Sequence, residues 1–223
     1  MNTARILGTA QSFSVGKIVC VGRNYIQHAK EMKADVPKEP VLFLKPATAI
    51  IHDGGEIVMP SISNDVHHEV ELIVLIGKGG KEIAESRALG HVAGYGVGLD
   101  MTLRDVQDEA KKKGLPWTLA KGFDTSAGVS EFVPASSAPD PGNLRIRLSV
   151  NDAERQSTTT DNLIFPVAVL VTYISQYFTL EPGDIVFTGT PEGVARVRSG
   201  DRLHAELQTS AGKALVSLNA RVR

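Results

Sequence analysis

Cysteine is almost missing from this chain: Cys20 stands alone among 223 residues. No internal disulfide can form, no zinc site can rest on paired cysteines, and the composition fits a reducing compartment. An excess of either charge is also missing. Lys+Arg is 24 against 25 for Asp+Glu, a formal charge of −1. A dedicated nucleic-acid binder normally carries a clear basic excess, so no nucleic-acid partner is expected. Long apolar runs are absent too. The longest, Leu163 to Ile174, is broken by Pro166 and Thr172. It is too short to span a bilayer and reads as a buried helix, with no membrane partner expected. The N-terminal residues lack the apolar core of a secretory signal, which leaves a cytoplasmic location as the expectation.

The standard catalytic motifs are lacking as well. GYGVG at 94–98 does not have the spacing of a dinucleotide fingerprint, and there is no P-loop. No G-x-S-x-G elbow occurs. His67-His68-Glu69 lacks the second histidine four residues on that a zincin needs. Cys20 sits in an apolar run and reads as a buried structural thiol.

Breakers, by contrast, are abundant: 21 Gly and 11 Pro, with no internal repeat. Short apolar runs lie between them, which predicts many short strands. These are Lys17–Val21, Val41–Leu44, Glu69–Ile76, Gly94–Asp100, Ile185–Phe187, Leu203–Leu207 and Leu215–Val222. Leu144, Ile146, Leu148 and Val150 alternate with Arg145, Arg147 and Ser149, the pattern of a half-buried strand. Helices are fewer. Thr102–Lys113 has Thr102 at the N-cap position, Asp105 three residues on, lysines in its last turn and Gly114 after it. Phe165–Phe178 is apolar nearly all round and is expected to be buried. Tyr25–Lys33 is expected to be a short, mobile helix, and 132–143, with three prolines, a loop. Strands outnumber helices and are not regularly interleaved with them. A β-rich α+β fold is expected, and 42% apolar residues suffice for one sizeable core.

Glu69 and Glu71 are two apart on a predicted strand, so both carboxylates share a face. A divalent cation would offset their repulsion; a solvated strand end is the alternative. Asp100 ends a glycine-lined strand just before a helix, where ligand sites often lie. Three carboxylates without cysteine suit Mg²⁺ or Mn²⁺, although Asp100 also fits as an acid near the helix N-terminus. Arg104 and Gln107 share a helix face at i, i+3. An arginine there can hold a substrate carboxylate, or the face is merely solvated. Lys121 lies in the apolar WTLAKGFD and is a candidate to stabilise an oxyanion or enolate, or it snorkels at a strand edge. His28 and Glu31 at i, i+3 make either a general base with its orienting carboxylate or an ordinary exposed pair. Thr188 to Pro191 forms a turn whose amides and Thr190 hydroxyl can bind an anion, or is plain turn chemistry.

Taken together, GRNYIQHAKEM, PVLFLKP, HHEVEL, GLDMTLRDVQDEAKKKGLPWTLAKGFD and LEPGDIVFTGTPEGV closely resemble the fumarylacetoacetate hydrolase family. The short acylpyruvase branch, whose members also decarboxylate oxaloacetate, is the nearest likeness. HHExE and DMTxRDxQ are its specific parts. The resemblance runs from Lys17 to the C-terminus, dividing the chain into an N-terminal extension, 1–16, and a single catalytic domain, 17–223. It implies a mixed β-roll, usually dimeric, with Mg²⁺ or Mn²⁺ on Glu69, Glu71 and Asp100. It implies a water-activating dyad of His28 and Glu31 on a lid over Tyr25–Val36. It places Arg104, Gln107, Lys121 and Thr190 toward the 2-oxo acid end of the substrate, with Arg23 a further candidate. The extra N-terminal domain of fumarylacetoacetases themselves is not seen, so that activity is not expected.

The activity so implied is cleavage of acylpyruvates to pyruvate and a carboxylic acid. In such a 2,4-dioxo acid, water attacks the 4-carbonyl and the C3–C4 bond breaks. Oxaloacetate decarboxylation passes through the same pyruvate enolate without an attacking water. Alternatives are a hydratase, isomerase or decarboxylase of 2-oxo-enoic acids in aromatic catabolism, or an oxaloacetate tautomerase. A non-catalytic Ca²⁺ or Mg²⁺ module is disfavoured, because the acids are scattered and no EF-hand loop exists.

Overall fold

The structure is a computed structural model that describes residues 2–31 and 35–223. Its centre is an eight-stranded mixed sheet. The order is Val41–Pro46, Lys17–Gly22, Ile185–Phe187, Val70–Ile76, Val92–Asp100, Ala127–Val129 and Ile50–Ile51, with Val133–Pro134 also paired to Val92–Asp100. Ile185–Phe187 runs parallel to Lys17–Gly22 and antiparallel to Val70–Ile76. A five-stranded sheet (Ala153–Thr159, Leu144–Val150, Arg202–Thr209, Ala214–Val222, Gly55–Ile57) packs against it. A third, of three short strands, joins Thr102–Leu103, Val66–His68 and Ala195–Arg196. The expected β-rich α+β class, with a mixed, curled sheet and few short helices, is what the structure shows.

Period-2 geometry explains the central strand. Leu72, Val74 and Ile76 join the large core between the two main sheets, with Val97, Leu99, Ile146, Leu207 and Leu218. Ile73 and Leu75 face the other way, into a second core with Ile18, Cys20, Val129 and Phe187. Both faces are covered, so the sequence reads as a continuous apolar run. Gly98 sits opposite Glu71. A Cβ there would come within 2.6 Å of Ile73 and 2.7 Å of Phe187, so only glycine lets this strand lie so close.

Residues 3–14 form a small hairpin, Thr3–Arg5 against Ser12–Ser14. It is stitched to the body by Leu7 N to Phe132 O at 2.8 Å and Phe132 N to Arg5 O at 2.9 Å. Ala4 and Ile6 are buried in the second core. Among the described residues no helix is long and apolar enough to cross a membrane.

Two helix expectations need correction. The helix after Asp100 spans Arg104–Lys113, not Thr102–Lys113, and its N-cap position is Leu103, with no side-chain cap. Thr102 is drawn into strand pairing with His67, because its hydroxyl serves the site instead. The C-terminal signal does hold: Gly114 has φ 65° and takes the left-handed cap. Val167–Tyr177 follows Pro166 and buries only one face, through Val167, Leu170, Val171 and Ile174. Tyr177 is 60% exposed, so the helix is not buried all round. Ile26–Glu31 is helical, and the remainder of the expected helix runs into 32–34, outside the described residues. The expected loop 132–143 contains the short pairing of Val133–Pro134 with Val92–Asp100. The polar edge strand Ala153–Thr159 carries no apolar alternation to announce it, since Gln156 alone in it is buried. Its hairpin turn, Asn151-Asp152, has positive φ at both residues, as a tight two-residue hairpin requires.

Candidate active site

Glu69 lies at the junction where the chain leaves Val66–His68 and enters Val70–Ile76. Its carbonyl accepts a hydrogen bond from Asp100 N at 2.8 Å, which ties the acidic ends of two antiparallel strands together. Glu71 and Asp100 follow on the same pair of strands. The three side chains are buried, and each offers a carboxylate oxygen within 4.8 Å of the others. The solvated strand end does not hold for Glu69 and Glu71, which are buried, and Asp100 does not cap the helix, whose N-cap position is Leu103.

Three buried cations answer these acids. Lys121 closes the short helix Thr118–Lys121 and places Nζ 2.8 Å from Glu69 Oε2 and 2.7 Å from Asp100 Oδ2. It also donates to Thr102 Oγ1 at 2.6 Å. Lys121 is therefore in a helix at the site, not snorkelling from a strand edge. Arg104 donates from Nη2 to Glu69 Oε1 and from Nη1 to Gln107 Oε1 at 2.7 Å. Lys45 Nζ lies 2.8 Å from Asp100 Oδ1. That contact lacks hydrogen-bond angles, so Asp100 Oδ1 accepts no hydrogen bond among the described residues. Lys45 instead donates to Ser126 O and Oγ at 3.0 Å and to Lys121 O.

The charges act unequally on the acids. Burial pushes the Glu69 carboxyl up, but Lys121 and Arg104 overcome it and hold the group well below the ordinary range. Glu71 goes the other way: burial, then Asp100 and Glu69, raise it well above that range. Its aid comes from Gly189 N, which donates to Oε2 at 2.6 Å. Burial alone would lower Lys121, yet Asp100 and Glu69 raise it. Glu71, with its carboxyl forced up and no ion pair among the described residues, marks a place short of positive charge. The donor set is three hard oxygens with no sulfur. It fits Mg²⁺ or Mn²⁺.

These groups line a cavity of about 260 Å³. Its opposite wall carries His28, which is 5% exposed, with Nδ1 3.3 Å from Glu31 Oε2. Burial lowers the imidazole pKa, and the Glu31 hydrogen bond opposes this only partly. Glu31 also accepts the Gly193 amide at 3.1 Å, which pins the helix to the turn after Thr190. The pair is therefore not an ordinary exposed i, i+3 contact. Arg23, Arg104, Gln107, Lys121 and Thr190 all line the same cavity, so of the metal, catalytic and substrate-facing candidates named from the sequence all but Glu31 form its wall. Arg104 is bound to Glu69 and Gln107, not solvated, and its buried Nε has no partner among the described residues. The Thr190 hydroxyl donates to Val70 O at 2.8 Å and accepts from Gln156 at 2.9 Å. A larger hollow of about 750 Å³ lies along Val41–Pro46 and shares Phe43 and Trp117 with the site, but it contains none of the three acids.

Sequence reasoning missed Lys45 and Gln156, whereas the Gly189 amide belongs to the turn expected to bind an anion and meets the Glu71 carboxylate. Lys45 ends an apolar run, PVLFLKP, and a lysine closing a buried strand was the available signal. Gln156 accepts from Val70 N and bonds Thr190, His68 and Pro191, all distant in the chain. No local pattern announces that. His67 faces Asp65 and His68 faces Gln156, in keeping with the absence of a zincin site. Cys20 is fully buried and its thiol is pushed up by burial, as a structural cysteine would be.

Known proteins share this arrangement of sheets. The rat mitochondrial oxaloacetate tautomerase FAHD1 is 53% identical over 188 residues, covering 84% of this chain and 85% of the relative. The Escherichia coli oxaloacetate tautomerase YcgM is 49% identical over 197 residues, covering 88% and 90%. The structure of fumarylpyruvate hydrolase from Pseudomonas aeruginosa, in complex with Mn²⁺ and pyruvate, superposes with a TM-score of 0.92 at 42% identity, covering 99% of this chain and 95% of that one. Residues 17–223 match the fumarylacetoacetate (FAA) hydrolase C-terminal family, and with this fold and this buried acidic centre the chain belongs to that family.

Proposed function

We propose that the protein is a Mg²⁺- or Mn²⁺-dependent enzyme of 2-oxo acids that interconverts the enol and keto forms of oxaloacetate. The observation that carries the reading is the meeting of a neutral, buried imidazole with the Glu69–Glu71–Asp100 centre across one small cavity. The names of relatives near half identity support oxaloacetate as substrate. Glu69, Glu71 and Asp100 would hold the metal, which when bound supplies a Lewis acid for the 2-oxo group and its enolate.

The chain's own groups complete the reaction. The orphaned Arg104 Nε and the Gln107 amide orient the 1-carboxylate, with Thr190 lining the same cavity. His28 takes a proton from C3, the C3–H electron pair becomes the C2–C3 double bond, the C2–O π pair moves onto the 2-oxygen, and that oxygen takes a proton from solvent to give the enol. Glu31 holds the imidazole through Nδ1 in the orientation that makes the other ring nitrogen the base. Lys121 Nζ stabilises negative charge developing on the 2-oxygen.

A second reading rests on the His28–Glu31 pair and on the likeness to fumarylpyruvate hydrolase. The same base activates water against the 4-carbonyl of an acylpyruvate, and cleavage of C3–C4 leaves pyruvate as its enolate. Oxaloacetate decarboxylation uses that enolate with no base. As the resemblance implies, the assembly expected is a homodimer, which light scattering checks.

The test is a panel of enol-oxaloacetate, fumarylpyruvate and acetylpyruvate with Mg²⁺ and Mn²⁺, before and after EDTA. Ketonisation of enol-oxaloacetate faster than in buffer, lost with EDTA, is expected. A rate equal to buffer on every substrate sinks both readings.

A further inference from the structure

The cavity holds more positive charge than its acidic end engages. Four cations, Arg23, Arg104, Lys111 and Lys121, share its wall with three carboxylates, before a metal adds two more charges. Arg104 and Lys121 are bound to Glu69 and Asp100. Arg23 and Lys111 are not.

Arg23 has φ 59°, a left-handed conformation that is uncommon for a large side chain. Its neighbour enforces it. Asn24 is fully buried and donates to Thr188 O at 2.8 Å and Phe165 O at 3.0 Å, while its Oδ1 accepts Phe165 N at 2.7 Å. Gly189 leaves room for this clamp, since a Cβ there would lie 2.7 Å from Asn24 Cβ. The strained backbone turns Arg23 into the cavity wall, and its guanidinium has no ion pair or hydrogen bond among the described residues. Lys111 comes from the helix Arg104–Lys113, with Nζ 5.8 Å from the Trp117 ring centre and only a 3.3 Å contact to Asp108. Partial burial lowers its pKa, and Arg104 and Arg23 add to that against the pull of Asp108. Trp117 and Phe43, 5.9 Å apart, supply an apolar wall in the same cavity.

We propose that Arg23 and Lys111 form a second carboxylate subsite that selects 2-oxo dicarboxylates over 2-oxo monocarboxylates. This rests on the 2-oxo acid reading of the site. The 1-carboxylate and 2-oxo group lie at the acidic centre, the short carbon spacer lies against Phe43 and Trp117, and the far carboxylate meets Arg23 and Lys111. A paired cation is worth most to a carboxylate in a partly dry cavity. The subsite also decides what happens to oxaloacetate. Decarboxylation breaks C3–C4, moves that electron pair into the enolate and releases C4 as neutral CO₂. Cations holding the 4-carboxylate stabilise the charge where it starts and disfavour its leaving. Tautomerisation breaks C3–H and keeps the 4-carboxylate intact, so the same cations do not oppose it.

The experiment measures equilibrium binding of 2-oxoglutarate and 2-oxovalerate to the Mn²⁺-loaded protein. The two share a chain length and differ at the far carboxylate. The dicarboxylate is expected to bind tighter by about 10- to 100-fold. Arg23→Gln and Lys111→Gln should each cut that preference. Lys112→Gln, at an exposed lysine paired with Glu109, should not. In turnover of oxaloacetate, Arg23→Gln should release more pyruvate per tautomerisation event than the parent. No preference in the parent, or an unchanged preference in both folded variants, or an unchanged or lower pyruvate ratio, overturns the subsite. Binding needs no turnover, so the two ideas fail separately. Preference without catalysis would sink the tautomerase reading alone, and catalysis without preference would sink the subsite alone.

Discussion

The floor and the roof of the cavity are built on different principles. The floor, Glu69, Glu71, Asp100 and Lys121, backed by Lys45 from the edge strand Val41–Pro46, rests on two central strands and one short helix and is buried throughout. Its charges are interlocked through contacts of 2.7 to 2.8 Å. The roof is the six-residue helix Ile26–Glu31, docked through Glu31 to the Gly193 amide, with His28 held by a single 3.3 Å contact. A buried network of this kind resists rearrangement, whereas a short helix with few ties can open at little cost. On the proposed mechanism the floor supplies fixed electrostatics and the roof the proton transfer, so substitutions in the two should fail differently.

The largest effect is expected at Glu71. Its carboxyl is pushed up by burial and by its acidic neighbours, so the neutral, equally sized glutamine is expected to be tolerated there in metal-free protein. Glu71→Gln should abolish turnover and Mn²⁺ binding while leaving the Tm of metal-free protein nearly unchanged. Calorimetric titration and thermal melts check both. A large drop in metal-free Tm would show that the floor needs this charge for folding.

His28→Ala should cut tautomerisation and acylpyruvate cleavage by about 10²–10⁴-fold. Oxaloacetate decarboxylation, which needs no base, should fall far less. Lys121→Met should harm all three reactions. Equal losses across the substrates for His28→Ala would reduce the roof to a positioning element.

Lys45→Met tests the floor from below. It removes one of two cations from Asp100 and three carbonyl contacts at once. Breaking a buried pair costs about 3–5 kcal/mol, and Lys121 remains, so the lower end is expected in urea melts. A loss under about 1 kcal/mol would mean that the floor repacks without it.

The pH profile should show the smallest effect. Burial holds the His28 pKa below its ordinary 6.5, with Glu69 and Glu31 partly opposing. The free-enzyme kcat/KM should therefore show an acid limb whose midpoint lies below 6.5, as the imidazole gains its proton. Glu31→Gln removes a group that raises this pKa and should move the acid limb further down. A limb above 6.5 would contradict the burial argument. In the same roof, amide exchange over 26–31 should slow when oxalate, a mimic of the pyruvate enolate, binds.

Local periodicity determined much of this protein. The alternation in Leu144–Val150 and the double-sided apolar run before Ile76 fixed strands whose bounds the structure reproduces within a residue. Period 2 also put Glu69 and Glu71 on one side, and i, i+3 spacing paired His28 with Glu31 and Arg104 with Gln107. These inferences succeed because strand and helix geometry relate near neighbours in the chain. Thr102 shows their limit: it has every local mark of an N-cap, yet tertiary contact with Lys121 and His67 drew it into a strand. Only the folded chain brought Lys45 to Asp100, Gly189 to Glu71 and Gln156 to Val70, across 55, 118 and 86 residues respectively. Contacts at such separations leave no periodic trace. Which of three similar carboxyls is held ionised and which is pushed up depends on where buried cations come to rest, and that is decided in tertiary structure.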